Sequence, residues 1–144
     1  MSAWMHVSAV FRIDGVKKDY RRCTLNGRPV IDWDEITGKA IYDGDWCSDD
    51  DYEQQRIKES WEVYSKHPNR FMPAGSEGSL QRLLWINPDA YCAARYTVTV
   101  FGDLRDYEDF GAIKEWFDGV CEKCHIRQAV CHATNGYESK TWER

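Results

Sequence analysis

Long apolar runs are missing from this 144-residue chain. No stretch approaches the ~20 consecutive residues that a membrane-spanning helix needs, so no membrane is expected as a partner. A basic leader is also missing. Met1 is followed at once by an alternating strand pattern, which points to the cytoplasm. A basic excess is lacking too, because 19 Lys and Arg face 24 Asp and Glu for a net charge of −5. That balance argues against direct gripping of a nucleic-acid backbone, which relies on dense cationic charge. Proline is scarce at four residues, and no repeat, low-complexity tract or linker divides the chain, so residues 1–144 read as one domain. The six cysteines, in a chain without a leader, read as reduced thiols or metal ligands rather than a disulfide framework. What is abundant is aromatic: 14% of residues, seven of them Trp, more than a core of this size hides. Trp and Tyr gather where proteins meet partners.

Residues 2–13 alternate, with Ala3, Met5, Val7, Ala9, Phe11 and Ile13 on one face and Trp4, His6, Ser8 and Arg12 on the other. A helix is predicted from Asp51, with Ile57, Trp61 and Tyr64 as its apolar stripe and Pro68 as its stop. Two strands follow, Leu80 to Ile86 and Ala93 to Phe101, closed by Asn87-Pro88-Asp89-Ala90. A second helix after Asp106 or Asp109 carries Phe110, Ile113, Trp116, Phe117, Val120, Cys121 and Cys124. Residues 126–134 form the last core strand, and Asn135-Gly136 turns into an added edge strand, Tyr137 to Trp142. The order strand, helix, strand, strand, helix, strand predicts a ferredoxin-like βαββαβ sandwich of the α+β class. Residues 14–47 are read as an insertion after the first strand, holding one short hairpin at Asn26-Gly27 and lying over an edge or face of the sheet.

Cys121-x-x-Cys124-His125, followed by Cys131, has zinc-like spacing. Cys121 and Cys124 share the core stripe of Phe117 and Val120, which favours buried thiols, so no metal or cofactor is expected. His6-Val7-Ser8 and His132-Ala133-Thr134 form a pair of His-x-Ser/Thr motifs. Such pairs carry phosphodiester cleavage in the two-histidine phosphoesterases, with one imidazole as base and the other as acid. In the predicted sheet the first and last core strands are antiparallel neighbours, which can bring His6 near His132. Against this, those enzymes usually have two lobes. Gly75-Ser76-Glu77-Gly78-Ser79 reads as a tight loop rather than an anion nest, because it enters a strand and holds Glu77 at its centre. The acidic run from Asp43 to Glu53, with Trp46 and Tyr52 inside it, suits a partner with a basic groove. The open sheet face, with Trp4, His6, Arg12, Arg95, Phe101 and Trp85, is similar in its chemistry to an RNA-stacking platform. It is expected to be covered by residues 14–47 or by a second subunit in a homodimer.

Met72-Pro73-Ala74-Gly75-Ser76-Glu77-Gly78-Ser79-Leu80 and Phe101-Gly102-Asp103-Leu104-Arg105-Asp106-Tyr107, with the opening Met1-Ser2-Ala3-Trp4-Met5-His6-Val7, resemble a group of small uncharacterised proteins encoded by bacteriophages and prophages. The resemblance implies a context in which small acidic proteins bind and disable host machinery, CRISPR nucleases and other defence systems included. The leading expectation is therefore a non-enzymatic, anti-CRISPR-like inhibitor of a host factor with a basic surface, a nuclease or defence effector. Trp33, Trp46, Asp49, Asp50, Asp51 and Tyr52 would form its binding surface. Two alternatives stand beside it. One is a nucleotide-directed protein, either a phosphodiesterase using His6 and His132 or a sponge for a signalling nucleotide. The other is an RNA-binding sheet centred on Phe101.

Overall fold

The computed structural model describes residues 3–17, 20–23, 26–27, 29–41, 51–88 and 93–144. Its elements in chain order are β1 (Trp4–Val16), β2 (Arg21–Cys23), β3 (Pro29–Ile31), α1 (Trp33–Thr37), α2 (Asp51–Lys66), a 3-10 turn (Pro68–Arg70), β4 (Leu80–Ile86), β5 (Tyr96–Arg105), α3 (Phe110–Glu122), β6 (Cys124–Thr134) and β7 (Ser139–Glu143). The result is an α+β structure. Five strands form one antiparallel sheet in the order β4-β5-β1-β6-β7, while β2 and β3 pair separately.

β1 sits at the centre because its period-2 alternation lets one face bury completely. Met5, Val7, Ala9, Phe11 and Ile13 are all at most 2% exposed. Val98, Val100 and Leu104 of β5 and Ala129, Cys131 and Ala133 of β6 join them on that side. α3 closes the layer. Its N-cap is Asp109, whose carboxylate accepts from the Ala112 amide, and its buried stripe is Ile113, Phe117, Val120 and Cys121. The Phe117 ring lies 5.4 Å from that of Phe11, and Trp116 meets Phe11 edge-on at 5.8 Å. Buried aromatic pairs of this kind add to the area they remove from water.

The structure departs from the predicted elements in several places: β5 begins at Tyr96 rather than Ala93, and β7 spans Ser139–Glu143 rather than Tyr137 to Trp142. β1 continues to Val16 and β5 to Arg105, beyond the predicted ends at Ile13 and Phe101. α3 stops at Glu122, so Cys124 opens β6 instead of closing the helix, and it is buried from there. The segment 14–47 contains a helix, α1, which Asp32 caps by accepting from the Glu35 amide. The described part of that segment lies on the helix side of the sheet. Trp116 Nε1 donates to the Thr37 carbonyl at 2.7 Å, and Lys123 Nζ donates to the Glu35 carbonyl. It therefore does not cover the opposite face. The helix packed beside α3 is the five-residue α1, whereas the longer α2 packs against the 3-10 turn, with Tyr64 meeting Phe71 edge-on. Asp89 and Ala90 of the predicted hairpin closure lie outside the described residues; the Asn87 amide donates to the Arg95 carbonyl.

Candidate functional site

Residues directly opposite on antiparallel strands share a face, so the pairing register maps the open side of the sheet as a grid. One row runs Asp103, His6, Thr134, Ser139. The next runs Gln81, Phe101, Ser8, His132, Thr141. Below them lie Leu83, Thr99, Val10 and Val130, and then Trp85, Thr97, Arg12 and Gln128. The two His-x-Ser/Thr motifs are thus interleaved: His6 stands opposite Thr134, and Ser8 opposite His132. His6 and His132 are diagonal neighbours, a relation that places side-chain origins roughly 7–8 Å apart.

Each imidazole is held through Nδ1. His6 Nδ1 lies 2.6 Å from Asp103 Oδ1, and His132 Nδ1 lies 2.9 Å from Thr141 Oγ1. An ionised carboxylate only accepts, so the Nδ1 of His6 carries the proton and a neutral His6 presents its lone pair at Nε2. Thr141 both donates and accepts, so it orients His132 without fixing the tautomer. Asp103 lies on the β5 side of His6 and Thr141 on the β7 side of His132. Among the described residues neither Nε2 has a hydrogen-bond partner. The His6 and Asp103 side chains are 55% and 60% exposed, so solvent reaches the pair.

The hydroxyls differ. Thr134 Oγ1 is committed to the β6–β7 turn, donating to the Glu138 carbonyl and accepting from the Gly136 amide. Ser8 is exposed and has no hydrogen bond of this kind among the described residues, so it is the hydroxyl placed to meet a ligand. Two aromatics flank the histidines: Phe101, 41% exposed, directly opposite Ser8, and Trp4, 36% exposed, one residue along the same face from His6.

The backbone around Asp103 is flanked by the 75–79 loop. The loop runs along the end of β5: the Ser76 amide donates to the Arg105 carbonyl, the Arg105 amide donates to the Glu77 carbonyl, and the Arg105 guanidinium pairs with Glu77 at 2.6 Å. Gly78 has φ +78°, and a Cβ there would stand 2.0 Å from the Asp103 carbonyl oxygen. Gly102 faces Leu80 in register, with a Cβ position only 2.3 Å from the Ser79 carbonyl oxygen. The Asp106 amide donates to the Ala3 carbonyl. Residues 3–7 of the first strand, the 75–79 loop and residues 101–106 of β5 and its end therefore meet at one corner, around His6 and Asp103.

Other predicted site residues fall elsewhere. Trp33 is a packing residue, half-buried with its ring edge-on to Tyr96 at 5.4 Å. Asp51 and Tyr52 open α2 and are exposed, Tyr52 to 73%. Trp46, Asp49 and Asp50 lie outside the described residues. Cys121, Cys124 and Cys131 are buried, free thiols, and burial pushes the thiol of Cys121 up to about 11 and those of Cys124 and Cys131 up to about 12. His125 follows Cys124 on a strand, so it faces the other way and is exposed. The four do not converge on one metal position.

Asp103 and Thr141 are the functional-face residues that sequence reading missed. The signal for Asp103 is present in the chain: the alternation Phe101, Asp103, Arg105 continues past Gly102, although a glycine there reads as the end of a strand. No family model, curated protein or solved structure matches the chain. No helix among the described residues is long and apolar enough to cross a membrane.

Proposed function

We propose that the chain is a nucleotide-directed protein whose open sheet face acts on a phosphodiester, with His6 as base and His132 as acid. One observation carries the reading: interleaved His-x-Ser and His-x-Thr motifs on adjacent strands, with Asp103 at 2.6 Å from His6 Nδ1. A carboxylate behind an imidazole sets its tautomer and orientation and leaves Nε2 free to accept a proton, which is what a catalytic base requires. Ser8 supplies a hydroxyl for a non-bridging phosphate oxygen. The order β4-β5-β1-β6 of the four long strands supports a ferredoxin-like core with β7 added at one edge, and α1 beside α3 as its departure from that plan. The bacteriophage resemblance, concentrated around His6 and Asp103, supports a phage protein acting on nucleotides in the host cytoplasm, counter-defence included.

The test is turnover of bis(p-nitrophenyl) phosphate and of cyclic and linear nucleotides by the purified chain. His6→Ala and His132→Ala are each expected to lower kcat by about 10²-fold or more. Binding of a nucleotide without turnover would recast the protein as a sponge. Neither binding nor turnover would end the reading.

A second reading, the non-enzymatic inhibitor of a host factor, is favoured by a different observation. β4 is an edge strand of the sheet, yet it exposes Leu83 (61%), Leu84 (40%), Trp85 (55%) and Ile86 (59%) on its two faces. Contiguous exposed apolar side chains mark partner surfaces. Stoichiometric capture of one host protein, lost on Trp85→Lys, is the outcome this reading requires.

A further inference from the structure

We infer that the phosphodiester is that of single-stranded RNA, cleaved by attack of its own 2′-hydroxyl; this rests on the acid–base reading of His6 and His132. The first argument is shape. Among the described residues the histidine face is uncovered, while the large cleft, of about 760 Å³, lies on the opposite side between α3, Gly38 and Phe71. A flat sheet cannot enclose a small nucleotide, but it can support an extended strand, as stacking platforms do. The second is the placement of aromatics. Phe101 and Trp4 are both partly exposed on the β1–β5 side of the site, within one row of His6 and Ser8. Bases on one side of a phosphate held between the histidines therefore meet π-faces.

The third argument concerns the nucleophile. Ser8 stands opposite His132, but that imidazole's Nδ1 is engaged by Thr141 and no Ser8–His132 hydrogen bond forms among the described residues. An unactivated serine is a weak nucleophile. A 2′-hydroxyl is held next to phosphorus by the ribose itself, so proximity comes with the substrate.

The step balances without a co-reactant. His6 Nε2 takes the 2′-hydroxyl proton as the 2′-oxygen bonds to phosphorus. The P–O5′ bond breaks, and protonated His132 gives its proton to the leaving 5′-oxygen. The products are a 2′,3′-cyclic phosphate end and a 5′-hydroxyl end. Proton exchange with solvent restores both imidazoles. Arg12, exposed on the same face beyond Ser8, is placed to meet a neighbouring phosphate. With a net charge of −5, attraction for the backbone is weak, so stacking carries the affinity.

The experiment uses the full chain with a 5′-labelled single-stranded RNA, the same sequence as DNA, and bis(p-nitrophenyl) phosphate. The expected result is RNA cut to 2′,3′-cyclic phosphate ends, with DNA intact. His6→Ala and His132→Ala should each lose about 10²-fold or more in rate. Phe101→Ala should raise KM for RNA about tenfold, one lost stacking contact, with kcat kept. Cleavage of RNA and DNA alike, or of the nitrophenyl ester with RNA untouched, overturns the 2′-hydroxyl inference while leaving the acid–base reading in place. No cleavage of any of the three overturns both. RNA cleavage that His6→Ala does not lower also overturns the inference, since it marks a contaminating nuclease.

Discussion

At the residue scale, the site depends on how His6 is held. Its partner Asp103 is 97 residues away in sequence and directly opposite in the sheet. Asp103→Asn removes the acceptor-only partner that fixes the tautomer and orientation of His6, so kcat should fall by about tenfold or more with KM unchanged. Because the pair is exposed, it contributes little to folding, and the thermal midpoint should stay put. Equal kcat in the variant and the parent would remove Asp103 from the site. The juxtaposition of His6 and His132 was legible from the sequence, since both lie on polar positions of strands whose pairing follows from the topology. Thr134 was legible only as half of a motif. Its hydroxyl serves the Asn135-Gly136 turn, a local demand that a two-position pattern does not encode.

At the element scale, the 75–79 loop explains how the site is held in place. It continues the β4–β5 pairing past Leu80 and presses its glycines on the backbone of Asp103 and Arg105. Residues 75–79 were legible as a tight loop, but not what the loop lies against. Gly78→Ala adds a Cβ at φ +78°, 2.0 Å from the Asp103 carbonyl oxygen. Either the loop shifts or the strand end does, and the expected destabilisation is about 1–3 kcal/mol, read as a lower urea midpoint. Activity should fall with it, because Asp103 moves; an unchanged midpoint would contradict the close approach. α1 escaped prediction for a different reason. Five residues are too few for a hydrophobic period, although the capping pair Asp32 and Glu35 was in the sequence. Cys124 reads as part of α3 because its stripe continues in phase past Lys123. The chain turns at once into β6, and the thiol reaches the core from the strand instead.

At the scale of the whole molecule, the sheet has one face sealed by α3 and one left to solvent among the described residues. The sealed face holds Cys121, Cys124 and Cys131, and Tyr107 is pushed up to about 12, mainly by burial. These four groups stay neutral in the folded chain to a higher pH than in the unfolded one. The unfolded state therefore loses its protons first, and stability is full below about pH 9, then falls as the pH rises toward 12. Urea midpoints should hold below about pH 9 and decline from there to pH 11, with the thiols unreactive to alkylation until unfolding. A midpoint independent of pH across that range would contradict their burial. The α+β class and the long strands were legible because hydrophobic alternation survives in β1 and β5, whereas β4, with Leu83 to Ile86 apolar in succession, shows none. In residues 14–47 the hairpin at Asn26-Gly27 was legible and the rest was not, because glycine punctuation and short elements leave no period to read.

The most direct measurement is the pH dependence of kcat/KM for phosphodiester cleavage by the parent chain, His6→Ala and His132→Ala. A base that must be free and an acid that must be protonated give a bell. His6→Ala should lose the acid limb of its residual rate and His132→Ala the alkaline limb. A parent profile without two limbs, or variants that keep both, would contradict the acid–base assignment.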